Sequence, residues 1–396
     1  MHWIKNILFF TLIFFLFSAS VFYIPAGAEN NNIGFLLADS QGNILISKNK
    51  NSPLIPASTL KILTSLSAIK ALGINYRYKT WFYYDKQSLN LFIKGFGDPL
   101  FISEEINNIC TLLFKSLKTY KINNIILDNS FFDECINIPG KSDTLNPYDA
   151  IQGALCANFN TIFFKTDNNN KLISAEPQTP LLPIFIHKIK STRLARGRIT
   201  LSENETKIYP GLLIKFFLEK KGIKVSGKVL LGKVSTKQKP ILIYTSHFNL
   251  KKIIQNLLKY SNNFMANQIL LTMGAEIAGP PSNLKKSVRV AKSFFPDNCK
   301  IIYVEGSGIS RDNRISCMDM MKVLIQFIGF HELMKKDKNG FYKTGTLSGV
   351  RTRAGYIKGK NKSLYPYIIM INQKNKNYTE ILAKFSKKIK TRDKNF

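Results

Sequence analysis

Pro56-Ala57-Ser58-Thr59-Leu60-Lys61-Ile62-Leu63 is the stretch on which the reading of this chain turns. Proline at the start of a helix costs no hydrogen bond, so Pro56 predicts a helix from about Ala57 to Leu72, stopped by Gly73. Leu60, Ile62, Leu63, Leu66 and Ile69 spread apolar side chains over so wide an arc that the helix is expected to be buried. Ser58 and Lys61 stand three apart on it, which puts the amine beside the hydroxyl on one face. A serine is a weak nucleophile until a neighbouring base takes its proton. A lysine serves as that base only when desolvation or a nearby cation lowers its pKa. The helix N-terminus adds positive potential where an oxyanion would form.

Two further triplets lie downstream. Ser261-Asn262-Asn263 falls between two helical patterns, and Lys343-Thr344-Gly345 on an expected strand. Lys343 is a candidate for the cation that depresses Lys61. Taken singly, each triplet has an ordinary explanation: an N-cap serine with a solvated lysine, a turn, a strand end with a glycine bulge. All three in this order and context form the pattern of penicillin-recognising serine enzymes.

Around these motifs the chain alternates in character. Ile33 to Asp39 and Ile44 to Ile46 predict a hairpin turned by Asp39-Ser40-Gln41-Gly42-Asn43. From Tyr78 to about Glu205, short strand-like runs separated by loops rich in Asn, Asp, Pro and Gly predict a mainly β insertion. Helices are expected at Gly211 to Lys221, Leu250 to Tyr260, Asn263 to Ile277 and Cys317 to Phe330. Three antiparallel strands should follow, at Phe341 to Thr346, Arg353 to Lys358 and Tyr365 to Asn372, and then a frayed basic tail from Lys387. The expected fold class is α+β: an antiparallel sheet flanked by helices and completed by both ends of the chain. The expected divisions are 1–28 leader, 29–78 first catalytic part, 79–205 insertion and 206–396 second catalytic part.

Composition bounds the function. The 396 residues carry 57 Lys and Arg against 25 Asp and Glu, a net charge of +32. That suits an anionic partner such as a cell-wall polymer or a membrane surface, although the lysines are scattered among Asn and Ile rather than set in a block. Lys5, the apolar run Ile7 to Phe17 and Ala26-Gly27-Ala28 read as an export signal cleaved after Ala28. An uncleaved anchor is the alternative. Export places the protein in the periplasm or at the cell surface and argues against a nucleic-acid binder. Five cysteines and four isolated histidines make no CxxC, no HExxH and no metal-ligand spacing, so neither metal nor cofactor is expected.

The resemblance extends beyond the triplets. Tyr260 to Asn267, Glu305-Gly306-Ser307-Gly308-Ile309-Ser310-Arg311-Asp312-Asn313 and Lys343 to Tyr356 resemble corresponding stretches of the D-alanyl-D-alanine carboxypeptidase/endopeptidases, the class C low-molecular-mass penicillin-binding proteins. Asn158-Phe159-Asn160 and Ala175 to Pro180 fall where that family has similar text. The resemblance implies a serine DD-peptidase acting on peptidoglycan stem peptides, with β-lactams as covalent inhibitors. It implies Ser58 as nucleophile and Lys61 as its base, with Ser261 and Asn263 relaying protons and holding the substrate amide. Lys343 and Thr344 would bind the terminal carboxylate. The backbone amides of Ser58 and Thr346 would form the oxyanion hole, and Gly345 and Thr346 would bind substrate beside Thr344. Arg311 and Asp143 would read the stem-peptide side chain. Arg311 and Lys343 are 32 positions apart, fewer than the family usually has, which bears on endopeptidase action against bulky cross-links. The rival readings are a β-lactamase of the same fold and a non-catalytic wall-binding relative.

Overall fold

The helix Leu60–Leu72 is apolar nearly all round and is buried nearly all round. Leu60, Ile62, Leu63 and Leu66 are each at most 2% exposed. It packs among the helices Leu250–Tyr260, Asn263–Ala278 and Cys317–Phe327. A buried aliphatic side chain contributes about 1.5–3 kcal/mol, so this bundle is a rigid platform for what stands at its ends. The computed structural model describes residues 32–392 apart from 118, 236, 361, 362 and 375. The expected leader, 1–28, lies outside the described residues.

Against the bundle lies a six-stranded antiparallel sheet. It runs, edge to edge, Lys335–Asp337, Gly340–Leu347, Val350–Lys358, Leu364–Ile371, Ile33–Ala38, Ile44–Lys48. The first strand of the described chain pairs with the last, Gly34 opposite Met370 and Leu36 opposite Ile368. The sheet is thus completed from both ends, as the hairpin and the three late strands predict.

Two expectations are corrected. The tail is not frayed from Lys387: Thr379–Arg392 is a helix, with Phe385 and Ile389 buried on the outer face of the sheet. Its apolar residues recur at helical spacing among lysines, and Arg392 reaches back to Asp39 at 2.8 Å. The stretch read as mainly β contains the helix Ser103–Ser116, which buries Ile106, Ile109, Cys110 and Leu113 at i, i+3, i+4 and i+7.

That helix and Glu203–Lys220 cover a five-stranded mixed sheet with its own core. Its order is Val229–Leu231, Ile125–Asp128, Asn90–Gly95, Arg77–Asp85, Leu242–Asn249. The first three of these strands run parallel to one another. Pairing therefore carries this part of the chain past residue 205, to Asn249. A small sheet of Leu172–Ser174, Thr161–Thr166 and Arg196–Thr200 is attached to it.

Candidate active site

Ser58 sits half-buried in a 3-10 turn, Ala57–Thr59, that leads into the buried helix. Ala57 is held in the left-handed region at φ 46°, a conformation that costs a non-glycine residue about 1–3 kcal/mol. The carbonyl of Pro56 explains how it is held: it accepts hydrogen bonds from Thr59 Oγ1 at 2.6 Å and Thr352 Oγ1 at 2.8 Å. Gly308 backs the same turn. It has φ +78°, and a Cβ there would stand 1.9 Å from the Ala57 carbonyl oxygen. On the open side the strand Gly340–Leu347 passes so close that a Cβ on Gly345 would lie 2.7 Å from the Ser58 backbone nitrogen. Glycine is required there by contact, and the strand edge meets the Ser58 amide directly.

Lys61 is fully buried and its Nζ touches three oxygens: Ser58 Oγ at 3.0 Å, Asn263 Oδ1 at 2.8 Å and the Ser307 carbonyl at 2.6 Å. Burial pushes its pKa well below the usual lysine value, and the nearby Lys343 pushes it further, against an opposing pull from Glu305. Its Nζ donates to the Asn263 carboxamide and the Ser307 carbonyl and stands within hydrogen-bond reach of the Ser58 hydroxyl. That is the geometry of a base waiting on a nucleophile.

Ser261 and Asn263 flank the N-cap of Asn263–Ala278, where Asn262 Oδ1 accepts from Met265 N at 2.9 Å. Ser261 closes the preceding helix in the left-handed region, at φ 59°. Lys343 is 2% exposed, and its Nζ donates to Ser261 Oγ and to the Thr344 carbonyl, both at 2.7 Å. Burial and then Lys335 bring its pKa down to about 7. Along the same strand Thr344 is half-buried and Thr346 exposed.

Five of the sequence-predicted residues are thus linked by side-chain hydrogen bonds into two groups, Ser58–Lys61–Asn263 and Ser261–Lys343. The two specificity candidates are placed differently. Arg311 is exposed, and its Nη2 donates to the Ser348 carbonyl in the turn after the Lys343 strand. Asp143 is exposed and makes no hydrogen bond or ion pair among the described residues. Its loop touches the Arg311 segment at Gly140, where a Cβ would stand 2.6 Å from Ser310 Cα. The buried acid of that loop is Asp149, which accepts from Ser142 N at 3.0 Å and from Thr144 Oγ1.

Sequence reasoning missed Glu305 as an organiser. Fully buried, it accepts from Ser307 N at 2.6 Å, Ser307 Oγ at 2.7 Å, Gly308 N at 2.6 Å and Asn313 Nδ2 at 2.8 Å. This holds the Ser307 carbonyl against Lys61 and Gly308 against Ala57. The signal was present: an acid directly before Gly-Ser-Gly has backbone amides within reach of its own carboxylate.

The model of the D-Ala-D-Ala carboxypeptidase 3 (S13) family matches residues 24–336. D-alanyl-D-alanine carboxypeptidase DacB of Haemophilus influenzae is 21% identical over 87% of this chain and 86% of its own. The D-alanyl-D-alanine carboxypeptidase of Actinomadura sp. (strain R39) is 22% identical over 84% of this chain and 76% of its own. Among solved structures, penicillin binding protein 4 of Haemophilus influenzae superposes with a TM-score of 0.72 at 20% identity, over 88% of this chain and 92% of its own. That relative has also been solved complexed with a β-lactam. A predatory peptidoglycan endopeptidase of Bdellovibrio bacteriovorus gives a TM-score of 0.53 at 18% identity, over 90% of this chain and 92% of its own. The chain belongs to the D-Ala-D-Ala carboxypeptidase 3 (S13) family and is a serine-type DD-peptidase.

Proposed function

We propose that Ser58 carries the reaction through an acyl-enzyme and that Lys61 is its base. The peptide ending in D-Ala-D-Ala lies antiparallel to the strand Gly340–Leu347, as an added strand. Lys343 and Thr344 hold its terminal carboxylate. Lys61 takes the Ser58 proton as Oγ attacks the penultimate carbonyl, whose developing oxyanion is met by the amides of Ser58 and Thr346. The C–N bond breaks, and D-Ala leaves with a proton passed through Ser261. Water then hydrolyses the ester at Ser58, its proton taken by the same lysine. The observation that carries this reading is the fully buried Lys61 amine 3.0 Å from Ser58 Oγ with a second buried cation close by.

β-Lactams enter as substrates that acylate Ser58 and leave slowly. The bond from Arg311 to the Ser348 carbonyl favours a role for Arg311 in holding the turn beyond the Lys343 strand over one in reading the substrate side chain. Export, with association with the anionic wall or membrane surface, is the location that best suits the substrate and the +32 charge. Release of D-Ala from a diacetyl-Lys-D-Ala-D-Ala peptide tests the assignment: wild type should release one equivalent per peptide and Ser58→Ala none. Release by Ser58→Ala at the wild-type rate would move the nucleophile elsewhere.

A further inference from the structure

The strand Gly340–Leu347 is only partly paired on the side of Lys335–Asp337. That short strand meets it at Gly340, Phe341 and Tyr342 alone, so residues 343–347 present an open edge, where the peptide is proposed to lie. Residues two apart on a strand share a face, and so do residues directly opposite on a neighbouring strand. Thr344 and Thr346 therefore share a face with Arg353 and Arg351, their partners on Val350–Lys358. Two arginines stand behind the two threonines of the open edge.

The two arginines are not equivalent. Arg353 is committed: its guanidinium lies 3.8 Å from the centre of the Tyr342 ring and donates to Asp337 at 2.7 Å and to the Tyr367 hydroxyl at 2.8 Å. Arg351 is exposed, and among the described residues it joins no ion pair. Its Nη1 donates to Thr346 Oγ1 at 3.4 Å. A hydroxyl that accepts from a guanidinium keeps its own hydrogen to donate to a ligand.

Lys343 alone is a weak counter-charge for a carboxylate. It is 2% exposed, and two of its N–H groups are spent on Ser261 Oγ and the Thr344 carbonyl. Burial and then Lys335 bring its pKa down to about 7. A guanidinium stays charged where such an amine sheds its proton, and it offers a carboxylate two parallel N–H donors.

We infer that Arg351 is a specificity-determining residue: beside the Thr346 hydroxyl, its guanidinium reads the terminal carboxylate of the peptide and so selects a free C-terminus over a blocked one. The inference rests on the proposed reading for the place of the peptide along residues 343–347. Arg311 differs in that its bond runs to a backbone carbonyl of the following turn, whereas that of Arg351 runs to a side chain on the open edge.

The test compares two substrates of the full chain, diacetyl-Lys-D-Ala-D-Ala and its C-terminal amide, by kcat/KM for release of D-Ala and of D-alaninamide. Wild type should prefer the acid. Arg351→Ala should lose about tenfold on the acid, the low end for a hydrogen bond to a charged group, with the loss mainly in KM and the amide unchanged. Arg351→Lys should recover part of the preference. A wild type indifferent to the blocked terminus, or an Arg351→Ala variant that loses equally on both peptides, would overturn the proposal. D-Ala release by Ser58→Ala would strike the proposed reaction instead, while the acid-to-amide ratio would still read Arg351.

Discussion

In the proposed reaction Lys61 and Lys343, the same residue type, have opposite duties, and their surroundings differ. Lys61 must be neutral to accept a proton, and Lys343 must be charged to hold a carboxylate. Burial holds the Lys61 amine well below the usual lysine value and brings Lys343 down to about 7, and the account requires that Lys61 lose its proton first. Peptide acylation should rise with pH through the Lys61 titration and fall through that of Lys343. Stopped-flow acylation across pH should show this bell, and Lys343→Arg, charged throughout, should move the falling limb to alkaline pH while costing about tenfold in rate, or 1.4 kcal/mol. Lys61→Arg should slow acylation by roughly 10²–10⁴-fold, the usual contribution of a general base. Equal losses in the two variants would contradict the division. At Arg311 the account predicts that alanine lowers peptide turnover and penicillin acylation together, because the Ser348 turn loosens for both. A loss confined to peptides with a side-chain carboxylate would restore it as a specificity residue. The candidate residues that the fold brings together were legible because their spacing is chemical. Ala57 was not, since its φ is held by segments that meet only in the fold, and Glu305 was missed although Ser307 and Gly308, whose amides it accepts from, lie within three residues of it.

Elements are placed by what they bury, and the two helices misread in the sequence show it. Ser103–Ser116 sits among Asn-rich text that resembles loops, and only its periodic Ile106, Ile109, Cys110 and Leu113 reveal a face. Thr379–Arg392 looks like a basic tail until Phe385 finds the sheet. Phe385→Ala should cost about 3–5 kcal/mol in denaturant unfolding, with acylation kept in the folded fraction, because the helix lies on the face away from Ser58. A loss below 1 kcal/mol would mean the helix is not docked. Gly308 acts at the same scale. Gly308→Ala places a methyl against the Ala57 carbonyl at a φ that disfavours it, and should reduce acylation even where the protein stays folded. Penicillin labelling at the wild-type rate would show that the turn does not need this backing.

Over the described residues, the two larger cores and the two larger sheets hold a site made from segments more than 280 positions apart, Ser58 and Lys343. The α+β frame and its closure by both chain ends were readable from the hairpin and the three late strands. The pairing of Val229–Leu231 and Leu242–Asn249 with strands more than 100 positions earlier was not, because a short strand does not name its partner. The +32 charge also belongs to this scale. Binding to peptidoglycan sacculi should weaken towards about 1 M salt, where screening acts over about 3 Å, while penicillin acylation stays level. Sacculus binding that ignores salt would assign recognition to the site around Ser58 rather than to the charge. The central claim is that one serine, Ser58, is acylated through Lys61, and intact mass after labelled penicillin, followed by mapping of the modified peptide, tests it most directly. The account predicts one adduct per chain, on Ser58, absent from Ser58→Ala and greatly slowed in Lys61→Arg; an adduct on another residue, or stoichiometric labelling of Ser58→Ala, would contradict it.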